Sequence, residues 1–173
     1  MPIEKVYTVG PRSRGNIWVN TEGATLAAAE VSAVITSSVP VVVERAMYRP
    51  AAGAPLGAGH ASAGVPSPST SWLFAEGATG DYFDLFYLIA NPGASAAEVE
   101  ARYLLPDGTV LTKSYEVAPR SRFNVWADLE SFDGIGGHPL GDTAVSAVFT
   151  STNGVPVVVE PAMWWPKGPD AWF

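Results

Sequence analysis

The chain contains no cysteine, so no disulfide can staple it and no thiolate can hold a metal or attack a substrate. Basic residues are scarce, with 10 Lys plus Arg against 17 Asp plus Glu and a net charge of −7. A surface that neutralises phosphates needs a basic face, so nucleic acid is not an expected partner. No apolar run approaches the roughly 20 residues that cross a bilayer as a helix. The start, Met1-Pro-Ile-Glu-Lys-Val, lacks the apolar stretch of a secretory leader. Membrane insertion is therefore not expected. Histidine occurs twice, at His60 and His138, both in Gly-rich stretches, and two imidazoles alone do not build a zinc site. There is no Gly-x-Ser-x-Gly elbow and no phosphate-cradling loop. The expectation is a noncatalytic protein with no cofactor and no catalytic residue.

What the chain has in quantity is apolar residues, 47%, with 17 Gly and 15 Pro in 173 residues. That is enough to bury a core, and punctuated often enough to favour short strands over long helices. It also has an internal duplication. Tyr7-Thr-Val-Gly-Pro-Arg-Ser-Arg-Gly-Asn-Ile-Trp-Val-Asn20 returns as Tyr115-Glu-Val-Ala-Pro-Arg-Ser-Arg-Phe-Asn-Val-Trp-Ala-Asp128. Val31 to Ser37 returns as Val145 to Ser151, and Pro40 to Pro50 as Pro156 to Pro166. Across these three blocks 22 of 32 positions are identical, which marks a repeated structural unit. The second copy is longer at two places, Ser131 to Asp142 and Asn153-Gly154, and insertions of this kind fall in loops. Asn153-Gly154 between two apolar runs is a hairpin signal, so those runs are expected to be adjacent antiparallel strands.

The segment between the copies has no counterpart. Residues 51–70 are mostly small, with repeated Pro and Gly, and are expected to be a linker or long loop. Ordered structure then resumes at Ser71-Trp-Leu-Phe and continues through Tyr82 to Ala90, Glu98 to Leu105 and Val110 to Val117, with turns at Asn91-Pro-Gly93 and Pro106-Asp-Gly108. The first copy is expected to hold four strands, Lys5–Val9, Asn16–Asn20, Val31–Ser37 and Pro40–Tyr48. The Val-Val-Val runs suggest a strand covered on both faces. The fold class expected is all-β, an immunoglobulin-like antiparallel β-sandwich built from an internal repeat, with one and a half units present. Residues 1–50 form the half unit, 71–166 the complete one, and 167–173 a tail ending in Trp-Phe where a further unit can start. A half unit leaves an apolar face and open strand edges, which must dock within the chain or on another chain.

Three sets of side chains are candidate sites. Arg12, Arg14 and Glu44 recur as Arg120, Arg122 and Glu160. An anion site, or an acid/base carboxylate raised in pKa by burial, is one reading; structural ion pairs that pin the turn to the strand are the reading preferred here, because a buried charge needs a partner. Trp72, Trp164 and Trp165 are candidates for stacking on sugar rings, whereas Trp18 and Trp126 recur within strands and are expected to fill the core between the sheets. Asp81, Asp84, Asp133 and Asp142 could offer oxygen ligands, but their spacing matches no ordered calcium loop, and no metal site is expected.

A wider likeness rests on Trp72-Leu-Phe-Ala-Glu-Gly77, Phe83 to Gly93, Tyr103-Leu-Leu-Pro-Asp-Gly-Thr109, the two Pro-Arg-Ser-Arg turns, Val39 to Tyr48 and Gly59 to Ser62. Together these resemble the tandem β-sandwich repeats of large bacterial secreted and cell-surface proteins, a family without established activity. The resemblance implies an extracellular or cell-surface location and carries no catalytic residue. Pro161 stands where the first copy has Arg45, so any role of that arginine is not shared by the copies. The function expected is a structural or adhesive repeat module that associates with itself or with neighbouring repeats by strand complementation. The alternative is a glycan-binding module using exposed Trp and Tyr.

Overall fold

The computed structural model describes residues 2–51 and 54–164, without the side chains of 49–59. The chain divides into two compact units, residues 1–34 and 35–173.

The larger unit opens with a hairpin of β1, Glu44–Ala51, and β2, Ala54–Ala63. Part of the expected linker is therefore strand, because a hairpin needs only ladder bonds and tolerates small side chains. Seven further strands follow: β3 Ser71–Phe74, β4 Asp84–Asn91, β5 Ala97–Leu104, β6 Val110–Val117, β7 Ser121–Trp126, β8 Ser146–Ser151 and β9 Val158–Trp164. They form two antiparallel sheets, one ordered β3-β8-β5-β6 and the other β7-β4-β9. This part of the chain is an all-β sandwich.

Alternation sets the faces. On β5, Ala97, Val99, Ala101 and Tyr103 are buried while their neighbours are more exposed, as a strand with one covered face requires. Leu85, Tyr87 and Ile89 from β4, Leu111, Tyr115 and Val117 from β6, Val125 from β7, Phe149 from β8 and Val159 from β9 complete the core. Tyr87 and Phe149 sit 4.9 Å apart between ring centroids, and Tyr103 meets Phe149 edge-on at 6.1 Å, both favourable aromatic geometries. The Val-Val-Val run is covered fully on one face only: Val157 and Val159 are buried and Val158 between them is half-buried, as alternation along a strand with one core face gives.

The turn signals resolve into two kinds. Pro106-Asp-Gly108 closes a true hairpin between β5 and β6, with Gly108 at φ 88° and the Thr109 N–H donating to the Asp107 carboxylate at 2.8 Å. Asn153-Gly154 does not make the expected hairpin. β8 and β9 lie in different sheets, and the Asn153 side chain instead ties the corner to the start of β5, accepting from Glu98 N–H at 3.2 Å and donating to Ala96 C=O at 2.9 Å. Positive φ at Gly154, 76°, serves a sheet-to-sheet arch as well as it serves a hairpin.

One property of the pairing governs everything else. The ladders are β3·β8, β5·β8, β5·β6, β4·β7 and β4·β9. Each joins a strand of residues 71–104 to a strand of residues 110–164. Strands β6 to β9 alternate between sheets and never pair with one another.

The segments of the first copy that align with β6, β7 and β8 are residues 2–9, 13–18 and 32–37. Four strands were expected across the first copy, yet among the described residues none begins before Glu44. The ladder rule explains the difference. These segments match strands whose backbone partners all come from β3, β4 and β5, and those three strands are already paired with the second copy.

Candidate functional site

What the first copy keeps is local geometry. In the second copy the Pro119-Arg120 turn between β6 and β7 sets Arg120 at φ 50°, and Ser121 Oγ donates back to Ala118 C=O at 2.7 Å. The short 3-10 turn Ala127–Leu129 follows, capped by Trp126 at φ −94°, ψ 99°. At the matching positions Arg12 has φ 54°, Ser13 Oγ donates to Gly10 C=O at 2.7 Å, and the 3-10 turn Val19–Thr21 follows Trp18 at φ −97°, ψ 93°. A non-glycine residue at positive φ is uncommon, and it occurs twice at one aligned position.

A three-residue polar cluster recurs as well. Lys113 pairs with Glu130, donates to Ser131 C=O at 3.0 Å and lies 5.9 Å from the Tyr115 ring centroid. The Tyr103 and Tyr115 hydroxyls are 2.9 Å apart. Burial pushes both phenols well above the usual tyrosine range, and the negative charge of Glu130 pushes them further. In the first copy Lys5 Nζ lies 3.2 Å from Glu22 Oε2 and donates to Glu22 C=O at 2.6 Å, while Tyr7 Oη donates to Glu22 at 2.8 Å. The Tyr7 bond, then Lys5, holds the Glu22 carboxyl below its ordinary range.

The copies differ in cover. Ile3, Tyr7, Val9 and Ile17 are 52, 45, 52 and 48% exposed, where their counterparts Leu111, Tyr115, Val117 and Val125 are 6, 7, 1 and 0% exposed. Val31, Val34, Ile35, Val39, Val41 and Val42 are exposed as well. Within residues 2–18 of the smaller unit, the exposed apolar residues Ile3, Tyr7, Val9 and Ile17, carried on the same turn geometry and without a ladder, are the candidate functional residues of this chain.

A second cluster joins the hairpin to the sandwich. Glu160 receives Arg45 Nη1 at 3.4 Å and Ser62 Oγ at 2.9 Å, and His60 Nδ1 lies 3.4 Å from Arg45 Nη2. Beside it an open groove is lined by His60, Leu73, Phe74, Glu76, Pro161 and Met163. The sequence pointed to Glu160 and missed Arg45 as its partner. The signal was Pro161, which leaves the second copy without a cation at that position.

The other expected ion-pairing residues are placed as follows. Arg12, Arg14, Glu44 and Arg120 are exposed, and Arg122 Nη2 donates to Asn124 Oδ1 at 2.6 Å. Trp72 is half-buried, its indole N–H donating to Val157 C=O at 2.9 Å, so it seals the β3 edge and does not present an open ring. Trp164 is half-buried at the end of β9; Trp165 and the tail 167–173 lie outside the described residues. Trp126 was expected between the sheets. It lies on the outer face beside buried Val125, stacked on Phe86 at 5.2 Å and donating to Asp84 at 3.3 Å, because adjacent strand residues face opposite ways. Trp18, its counterpart, is exposed.

Asp84 is buried, while Asp81, Asp133 and Asp142 are exposed. Among the described residues no three His, Cys, Asp or Glu side chains are grouped to hold a metal ion. Asp128 is a structural carboxylate that sequence reasoning passed over: it is buried and accepts the Leu85 N–H at 2.9 Å. Its counterpart Asn20 donates instead to Ala27 C=O at 3.1 Å, so the aligned Asn/Asp pair was the available signal. No helix among the described residues is long and apolar enough to cross a membrane.

No protein-family description matches the chain, and no characterised protein matches it in sequence. Several solved structures are similar at low levels, two of them as follows. The Anabaena sensory rhodopsin transducer is 23% identical with a TM-score of 0.46, covering 57% of this chain and 100% of its own. Thermotoga maritima 1070 is 16% identical with a TM-score of 0.45, covering 61% of this chain and 98% of its own.

Proposed function

We propose that this chain is a noncatalytic, extracellular structural module of a β-sandwich repeat array, which works by associating through its first copy. One observation carries the reading: all ladders of the complete sandwich run between residues 71–104 and residues 110–164. A repeat unit is thus two complementary halves, and residues 2–43 are a second example of one half. Their apolar residues and positive-φ turn match the unit while their ladder does not exist. Exposed apolar surface that lacks its ladder favours association.

An immunoglobulin-like type is part of the proposal, and the central strand pairs support it. The second strand of the unit pairs with the fifth, and the third with the sixth, as in that fold. The first and last strands have exchanged sheets and the fourth lies beside the third. The location outside the cell rests on the resemblance to secreted repeat proteins. Size-exclusion chromatography with light scattering tests the association: mass rising with concentration is expected, and a monomer over a wide range of concentration sinks it.

The exposed Trp18 ring supports a second reading, stacking on a glycan. A glycan array together with tryptophan fluorescence titration would detect it, and no response from a folded sample removes it.

A further inference from the structure

We infer that the free edge of β3 takes residues 31–37 of a second copy of this chain as an added strand, a contact that rests on the associating-module reading and gives it a surface and a partner. Each sheet of the sandwich has two outer strands, β3 and β6 in one and β7 and β9 in the other. Outer strands invite pairing unless charge or proline guards them. Lys113 and Glu116 lie on β6, Arg122 on β7 and Pro161 on β9. β3, Ser-Trp-Leu-Phe, carries neither charge nor proline.

The backbone of β3 decides which groups an added strand meets. Thr70 C=O accepts the Ser151 N–H at 2.8 Å, so in the antiparallel register Thr70, Trp72 and Phe74 bond to β8, and the backbone of Ser71 and Leu73 points to the free edge. The start of that edge is occupied: Ser71 N–H donates to Ser69 Oγ at 3.2 Å, and the Trp72 indole donates to Val157 C=O at 2.9 Å. At Leu73 it opens. This side chain is 73% exposed, and beside it runs the groove of about 500 Å³ lined by His60, Leu73, Phe74, Glu76, Pro161 and Met163.

Residues 31–37 repeat residues 145–151 with one change, Ile35 for Phe149, and that second stretch contains β8, the strand with which β3 already pairs. Val145, Ala147 and Phe149 face the core at 3, 1 and 0% exposure, which makes Val31, Ala33 and Ile35 the inward set of the added strand. Laid along Leu73 in that phase, the strand turns Ile35 toward the groove lined by Phe74 and Met163, and sets Val34 on the outer face beside Leu73. Val34 is itself 78% exposed, so one contact covers both side chains. Among the described residues no strand begins before Glu44, so the pairing breaks no existing ladder. Each copy brings both the segment and the edge. The contact is therefore head to tail, and it extends into a row of copies or closes into a ring.

Two charge substitutions at exposed positions test this in the full chain, with mass followed by light scattering over a concentration series. Leu73→Lys blocks the edge and keeps the segment; Val34→Lys blocks the segment and keeps the edge. Each variant alone should stay a monomer at concentrations where the unsubstituted chain grows. Mixed, they should give a 1:1 dimer and nothing larger, because each supplies what the other has lost. A peptide of residues 30–39 should also shift the backbone amide signals of residues 71–76 in the isotope-labelled chain, a readout that needs no variant to fold. Growth unchanged in both variants, or no peptide shifts at residues 71–76, overturns the β3 contact while the associating-module reading stands. A mixture that stays monomeric overturns the pairing of these two surfaces. An unsubstituted chain that is monomeric at every concentration removes the associating-module reading and the β3 contact with it.

Discussion

The two copies allow one substitution to be made twice, in the same local geometry with and without cover. Leu111→Ala removes a side chain that is buried opposite Tyr103 within the core. Buried Leu→Ala changes cost about 2–5 kcal/mol, the transfer term plus the cavity left behind. Leu111 sits toward the edge of the sheet, on the outermost strand β6, where neighbours can partly collapse, so about 2–3 kcal/mol is expected. For a sandwich of this size each kcal/mol moves the melting temperature by about 4–8 °C, giving a fall of roughly 10–20 °C. Ile3→Ala is the same truncation at the aligned position, half exposed and outside the sandwich ladders. It should change the melting of the sandwich by no more than about 0.5 kcal/mol in dilute solution. At high concentration its cost should grow, because whatever covers Ile3 stabilises by mass action. Circular dichroism melts of both variants over a concentration series provide the measurement. Equal losses for the two substitutions in dilute solution would refute the claim that residues 2–18 lack their cover.

Further expectations concern the core and its titration. Gly77 is buried, and a Cβ there would stand 2.9 Å from Val145 C=O and 2.9 Å from Leu85 Cδ2, so Gly77→Ala should cost about 1–3 kcal/mol in a denaturant melt. The Tyr87 hydroxyl is buried with no hydrogen-bond partner among the described residues, so Tyr87→Phe should be neutral or stabilising, whereas Tyr103→Phe, which breaks the bond to Tyr115, should cost about 1 kcal/mol. Burial raises the phenols of Tyr87, Tyr103 and Tyr115. The folded state then holds protons that the unfolded state has lost above about pH 10, so stability is intact below that pH and falls above it. Each phenol contributes a slope of up to about 1.4 kcal/mol per pH unit. Tyrosinate absorbance should rise for these three only as the fold melts, and early ionisation in the folded protein would contradict their burial. Finally, an NMR titration should find the Glu22 carboxyl below its ordinary range, as its bonds to Tyr7 and Lys5 require; a random-coil value would mean that the first copy does not hold its arch.

Features decided within a few residues were legible in the sequence. Alternation along Ala97–Leu104 and Val110–Val117 gave strands with a core face, and Pro106-Asp-Gly108 gave the hairpin between them. The repeated Pro-Arg-Ser-Arg marked a turn, and its first arginine, Arg12 in one copy and Arg120 in the other, adopts the left-handed conformation. Features that depend on which strand lies alongside were not legible. Asn153-Gly154 marks a reversal of the chain, but nothing local says whether the next strand pairs with the last one or crosses to the other sheet. Likewise Trp126 sits in a strand, and only the facing of its neighbour Val125 decides that it looks outward. Glu160 needed a cation, and the one it meets, Arg45, comes from a strand more than a hundred residues earlier. Strand pairing is tertiary context, and strand propensity measures fit to a pleated, half-buried surface.

The same distinction gives the duplication its meaning. Turn chemistry and a nearby ion pair are set by residues within one segment, so both copies have them. A ladder needs a second segment, and in this topology that segment is always one of β3, β4 and β5. Had the pairing joined consecutive strands, as in a meander, the first copy could have built a sheet by itself and its apolar residues would define an ordinary face. Here it cannot. Ile3, Tyr7, Val9 and Ile17 align with Leu111, Tyr115, Val117 and Val125, which point into the core, and are themselves exposed, so the copies share the apolar pattern and the turn and differ in the ladder.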